Sequence, residues 1–278
     1  MTVILVRHGR STANTSGVLA GRTPGVSLDD LGREQADALV DRLADHHGAI
    51  RAVVRSPLDR CAQTVAPLLG ALRSVPERDG DVVEEVVDDL AEVDYGSWTG
   101  RTIKELLKEP MWQVVQRQPS AAVFPGGEGL AQMSARSVAA IRSLDRRFVG
   151  ESGDGLWVAC SHGDVIKSVI ADAMGMHLDS FQRIVVDTAS ITVIRYGSTR
   201  PYIHTVNNTA AVSVPAPRPP RPDDGADDAV VGGETGAHLR PDHPHAPPHP
   251  APPHHPGPPA HPGHPHEPGP LHDRRVRG

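Results

Sequence analysis

The chain opens on a run of branched apolar residues at positions 3–6, and from there strand-like and helix-like patterns alternate as far as about Asn207. A short, uninterrupted apolar run of this kind is the mark of a strand buried on both faces. A polar, glycine-containing loop follows to about Val26. From Asp29 onward Leu31, Ala36, Leu39, Val40 and Leu43 recur at three- and four-residue spacing, which predicts an amphipathic helix capped by Ser27 or Asp29. The unit then repeats. Residues 52–55 (AVVR) read as a strand, and residues 57–72 as a helix with Pro57 in the first turn, where its missing N–H costs nothing. Residues 82–87 give a third strand, 130–149 a long helix, 156–160 a buried strand and 165–174 a helix, with final strands at 191–194 and 202–206. Such alternation predicts an α/β fold around a mainly parallel sheet.

Between Glu92 and Gly129 the alternation lapses, and the segment carries Trp98, Trp112, Phe124 and the Pro-Gly-Gly at 125–127. Long connections inside domains often serve as lids or binding loops, so a cap over the site is expected here. Composition changes abruptly further on. All nine aromatic residues precede Asn207, whereas 19 of the 27 prolines and 10 of the 16 histidines lie at or after Val214. Too few large apolar side chains remain there to offset the entropy of ordering a backbone. Residues 1–213 are therefore read as one domain, and residues 214–278 as a disordered Pro/His-rich tail with some polyproline character. Its histidines could bind divalent metal weakly, or the tail is simply a solvated segment of biased composition.

The first 213 residues are long enough to bury a core without staples. Cys61 and Cys160, in apolar surroundings and without CxxC spacing, read as small core residues. A net charge of −6 argues against a nucleic-acid binder. Met1 and Thr2 lead straight into the first apolar run, without the features of a secretory signal, and no apolar run approaches the length of a membrane span. The expectation is a cytoplasmic protein without a membrane partner.

Arg7, His8 and Gly9 follow the first strand directly, which puts them at its carboxyl end, where open α/β sheets bind ligands. Ser161, His162 and Gly163 follow a second strand in the same way. One such histidine would most often be an ordinary, satisfied side chain; two at strand ends beside an arginine point to a site. The domain has no HxxxH or HExxH spacing, and an arginine next to His8 repels a cation, so a reaction without metal is expected.

Four segments occur in order: LVRHGRSTAN at 5–14, SPLDRCAQT at 56–64, LAEVDYGSWTG at 90–100 and CSHGD at 160–164. Together they resemble the histidine phosphatase superfamily, also called the phosphoglycerate mutase-like family, over residues 1 to about 207. The resemblance implies a three-layer α/β sandwich and phosphoryl transfer to and from a small phosphorylated substrate, with no cofactor. It assigns the nucleophile to His8, which would carry a phosphohistidine, and phosphate binding to Arg7, Asn14, Arg60, His162 and Gly163. Planar guanidinium groups suit phosphate because they donate paired hydrogen bonds and stay charged. His162, as an imidazolium, would donate where charge develops. Glu92 is the implied general acid, with Glu84 and Glu85 as rivals one strand earlier; it must hold a proton, so burial or a nearby anion should raise its pKa. Arg10 departs from the family's usual Glu or Gln, and Ser11 stands where Thr is common.

Phosphatase is the favoured reading. A phosphomutase is the alternative, although EVDYG here differs from the ERHYG of phosphoglycerate mutases and the connection is shorter. A third reading is a catalytically inactive phosphate-binding or scaffolding module, since fold does not fix function. Arg22, Arg101, Lys104 and Lys108 could meet an anionic substrate or form a solvated face. Trp98 and Trp112 could line a pocket or anchor the cap. His46 and His47 need no function beyond the end of a helix.

Overall fold

The computed structural model describes residues 1–76, 80–148 and 155–210, so the Pro/His-rich tail, with its expected disorder and metal binding, lies outside the described residues. Six strands form one sheet: β1 (Thr2–Arg7), β2 (Ile50–Arg55), β3 (Val83–Val86), β4 (Leu156–Ser161), β5 (Ile191–Tyr196) and β6 (Pro201–Asn208), in the spatial order β3-β2-β4-β1-β5-β6. The first four are mutually parallel; β5 is antiparallel to β1, and β6 to β5. Residues 197–200 alone join β5 to β6, and so short a connection can only return the chain antiparallel.

Alternate residues of the central strands feed two cores. Val3 and Leu5 of β1, with Trp157 and Ala159 of β4, pack toward helices α6 (Leu130–Arg147) and α7 (Gly163–Ala173). Ile4, Val6, Val158 and Cys160 face the other way, onto α2 (Asp30–Arg42) and α3 (Asp59–Arg73). This is the period-two geometry of a strand buried on both faces, and it yields the expected three layers. Both cysteines are buried and free.

Local chemistry sets the helix ends. Asp29, not Ser27, caps α2 by accepting from Gly32 N at 2.8 Å. Helix α3 begins two residues later than Pro57 suggests. Leu58 stays extended, and its N–H donates to Ser56 Oγ at 3.3 Å, which carries β2's path forward to the site. The glycine-containing loop after β1 holds a helix too short to show periodicity, α1 (Thr12–Ser16).

The aperiodic segment after Glu92 contains α4 (Ile103–Leu106) and α5 (Pro110–Arg117). Trp98 stacks on Trp112 with ring centroids 6.0 Å apart and meets Phe124 edge-on at 5.2 Å, while Tyr95 meets Phe124 at 4.9 Å. All four rings are buried and belong to the same core as Trp157. Of the two readings of Trp98 and Trp112, anchoring is therefore the one the structure supports. The segment is an insertion packed on the domain, and it is sewn to the loop after β1: Leu19 N donates to Arg101 O, Gly100 N to Leu19 O and Ile103 N to Gly17 O.

Candidate active site

Strand register alone brings the two histidine motifs together. Arg7 of β1 lies opposite Ser161 of β4, so the next residue on each strand, His8 and His162, emerge side by side with ring centroids 5.2 Å apart. On the other flank of β4, Ser56 N donates to Cys160 O, and Ser56 Oγ lies 2.7 Å from His162 Nε2. Three adjacent strand ends thus deliver Ser56, His162 and His8 to one edge of the sheet.

His8 is 4% exposed and its Nδ1 lies 2.8 Å from Gly9 O. A carbonyl only accepts, so Nδ1 carries the proton and Nε2 presents its lone pair. Burial, and then the charges of Arg60 and Arg7, push the His8 pKa well below its ordinary value, which leaves a neutral imidazole at neutral pH. The loop is clamped from behind. A Cβ on Gly9 would sit 2.6 Å from Gly32 O, and one on Gly32 1.9 Å from Arg10 O, so only glycines let the loop lie on the first turn of α2. Gly9 N also donates to Thr64 Oγ1 at 2.9 Å, and Thr64 Oγ1 in turn to Arg60 O at 2.6 Å.

Arg60, buried on α3, is the hub. Its Nε approaches His8 Nε2 at 3.3 Å; its Nη2 approaches His162 Nδ1 at 3.2 Å and donates to Gly21 O at 2.9 Å. Its Nη1 is buried and has no hydrogen-bond partner among the described residues. Arg7 is fully buried and donates from Nη1 to Val186 O at 2.6 Å. His162, with no exposed surface, is held neutral by burial first and then by the nearby guanidinium charges, Arg60 ahead of Arg7. Two guanidinium groups within the same pocket oppose a third cation as long as no phosphate brings the negative charge that an imidazolium here is expected to meet. Gly163 starts α7, whose first N–H groups have no partners within the helix and face the same strand end.

Glu92 is 4% exposed, and its Oε2 lies 4.0 Å from His162 Nδ1. Burial, with the negative charge of Asp164 adding to it, raises its pKa to about 7. Asp164 itself accepts from Tyr95 OH at 2.9 Å and lies 4.0 Å from Lys167 Nζ. The rivals are elsewhere. Glu84 pairs with Arg55 and Arg73 on the sheet edge, and Glu85 pairs with Arg147.

Asn14 is half-buried, and its Oδ1 accepts from Ser11 N at 2.9 Å and from Ser11 Oγ at 2.8 Å, closing a capping box on α1. That leaves its amide nitrogen as the donor a ligand could use. Arg10 binds Asp29 Oδ2 at 2.6 Å, so the unusual residue of the motif ties the loop to the cap of α2. Arg22 hydrogen-bonds to the Glu92 carbonyl, Arg101 pairs with Glu109, and Lys104 and Lys108 are exposed. Ser56, Thr64, Asp164 and Tyr95 are contributors that motif reading did not single out. Each lies inside a quoted segment, yet only the fold shows which neighbour it touches.

Residues 3–209 match the histidine phosphatase superfamily (branch 1), and the chain belongs to that family. It is 32% identical over 196 residues to a bifunctional protein of Mycobacterium tuberculosis, a match that covers 70% of this chain and 50% of that protein. The chain thus spans about half the length of the first curated relatives it matches. It is also 32% identical over 192 residues to an acid phosphatase of the same organism, covering 69% of this chain and 84% of that one. A solved structure of a mycobacterial glucosyl-3-phosphoglycerate phosphatase in complex with VO3 shares the fold, with a TM-score of 0.64 at 22% identity over 74% of this chain and 98% of that chain. Among the described residues no helix is long and apolar enough to cross a membrane.

Proposed function

We propose that the chain is a phosphomonoester phosphatase that works through a phosphohistidine on His8. The observation that carries this reading is the convergence of His8 Nε2 and His162 Nδ1 on one arginine, Arg60, with the Glu92 carboxyl 4.0 Å beyond. Phosphoryl transfer asks for an in-line nucleophile, cationic donors around the equatorial oxygens and an acid for the leaving oxygen. Each has a candidate here. The His8 lone pair attacks phosphorus, a P–N bond forms as the ester P–O bond breaks, and Glu92 gives its proton to the departing oxygen. Water then attacks the phosphohistidine, Glu92 takes a proton from it, and inorganic phosphate leaves.

The electrostatics fit these roles. A neutral His8 is nucleophilic, and a carboxyl raised to about 7 still holds a proton near neutrality. The buried Arg60 Nη1 supplies a donor that a phosphate oxygen would take. His162 is neutral until an anion arrives, with Nδ1 accepting from Arg60 and Nε2–H donating to Ser56 Oγ; a dianionic phosphate beside it favours protonation at Nδ1. We take the reaction to be metal-independent because Arg7 and Arg60 repel a cation. The substrate is a small phosphorylated molecule, and a reducing cytoplasm suits the two buried free thiols.

The test is turnover of p-nitrophenyl phosphate, compared with His8→Ala, followed by brief exposure to a labelled phosphomonoester and an alkaline quench. Wild type should turn over without metal and retain acid-labile label that His8→Ala lacks. Label on serine, activity abolished by EDTA, or equal turnover by His8→Ala would overturn the reading.

A further inference from the structure

Two arginines and a glutamate outside the phosphate pocket enclose the backbone that carries Glu92. Arg22 Nε donates to Glu92 O at 2.8 Å, and Arg136 Nη2 to the same carbonyl at 3.1 Å. Arg136 Nη1 holds the preceding stretch, donating to Ala91 O at 2.9 Å and to Asp89 O at 2.6 Å. Glu128 completes the ring. Its Oε1 accepts from Arg22 Nη2 at 2.9 Å, from Arg136 Nη2 at 2.6 Å and from Asp94 N at 2.9 Å, while its Oε2 accepts from Arg136 Nε at 3.0 Å. The backbone is therefore gripped on both sides of Glu92, at the Asp89 and Ala91 carbonyls before it and at its own carbonyl and the Asp94 amide after it.

The grip is tight because glycine permits it. A Cβ on Gly127 would lie 2.2 Å from Asp94 O, so the segment bearing Glu128 rests directly on the strand of chain that bears the acid. On the other side, Arg22 follows Gly21, whose carbonyl accepts from Arg60 Nη2. Two consecutive residues thus connect the hub of the phosphate pocket to the backbone of the acid. Glu92 Oε1 accepts from Val93 N at 3.0 Å, a neighbour that moves with it. Its direction is consequently inherited from the backbone.

We propose that Arg22, Glu128 and Arg136 are positioning residues for the proton-transfer step, holding Glu92 at the leaving oxygen without themselves binding phosphate. This rests on Glu92 being the general acid. Catalytic groups work within about 0.5 Å of the productive geometry, so a backbone that relaxes slightly loses acid catalysis before it loses substrate binding. A purely structural role for the ring predicts something different: Arg22, with a side chain 40% exposed, would matter little, as exposed ion pairs do.

Leaving-group dependence separates the two. An alkyl phosphate needs a proton on its departing oxygen, whereas dinitrophenolate leaves without one. For Arg22→Met and Glu128→Gln, kcat/KM for an alkyl phosphate should fall roughly 10- to 100-fold, a fraction of a full acid contribution. With 2,4-dinitrophenyl phosphate it should stay within about twofold of wild type, as should inhibition by inorganic phosphate, because the phosphate pocket is untouched. Equal losses on both esters in both variants, or no loss on either, would overturn the proposal. Glu92→Gln, measured alongside, should show the same selectivity more strongly. If it does and the ring variants do not, the ring is not a positioning device; if Glu92→Gln itself shows no selectivity, the acid assignment is what has failed.

Discussion

Two regions of the sheet carry carboxylates beside arginines and use them in opposite ways. On the edge strand β3, Glu84 accepts from Arg73 and Arg55 in a half-open setting, its side chain 31% exposed, and those partners hold its pKa below the ordinary value. At the carboxyl end of β1 and β4, Glu92 has arginines nearby as well, yet its pKa is raised. The difference is burial. Water solvates Glu84 and the guanidinium groups reach it directly, whereas Glu92 is stripped of water and feels Asp164 in addition. Residue types and charge counts do not separate an acid from an ion-pair partner; desolvation does.

The largest expected effect is on turnover. Glu92→Gln should lower kcat/KM for an alkyl phosphate by about 10²- to 10⁴-fold, the usual contribution of a positioned proton donor. Glu84→Gln and Glu85→Gln should stay within about twofold of wild type, since exposed ion pairs far from the chemistry contribute little. Steady-state kinetics of the three variants decides it, and a collapse of Glu84→Gln activity would erase the contrast.

How much of this was legible in the sequence depended on scale. The strands that present His8 and His162 were readable because fully buried strands are continuous apolar runs, and the motifs sit immediately after them. The sequence offers Glu92, Glu84 and Glu85 as candidate acids, but which of them is buried is a tertiary fact. Helices α1 and α4, of five and four residues, are too short to display a period, so the stretch after Glu92 shows in the sequence only as a lapse in the alternation. Antiparallel pairing of β5 and β6 had a signal in the short connection between them. The ring around Glu92 had none: Arg22 and Glu128 are 106 positions apart and meet only because the Pro-Gly-Gly segment folds back onto residues 94–96.

Stability offers the second way to press the contrast, because the two carboxylates have opposite pH signatures. Glu92 titrates near 7 in the fold against an ordinary value of 4.5. Between those values the folded state holds the proton and the unfolded state has released it, so stability falls as pH rises through this window and levels off above 7. Removing the carboxylate removes that penalty. Glu92→Gln should therefore be more stable than wild type at pH 8, by on the order of 3 kcal/mol, and equal to it below pH 4.5. Denaturant melts at pH 4 and pH 8 measure the difference. A variant less stable at pH 8 would mean that the buried carboxylate is well paired after all.

Glu84 gives the smallest effect and the reverse sign. Its pKa is lowered in the fold, so it adds stability above its ordinary value that is lost as pH falls through the lowered one. Glu84→Gln should consequently be less stable than wild type at pH 8, by less than about 1 kcal/mol, the range of exposed pairs. Salt should shrink even that, since the Debye length falls to roughly 3 Å at 1 M. The gain in Glu92→Gln should persist in the same salt, because ions do not reach a buried group. Melts at pH 8 with and without added salt test both variants together. A salt-resistant loss at Glu84 would place its pair with the buried charges of the active site and remove the distinction between the two regions.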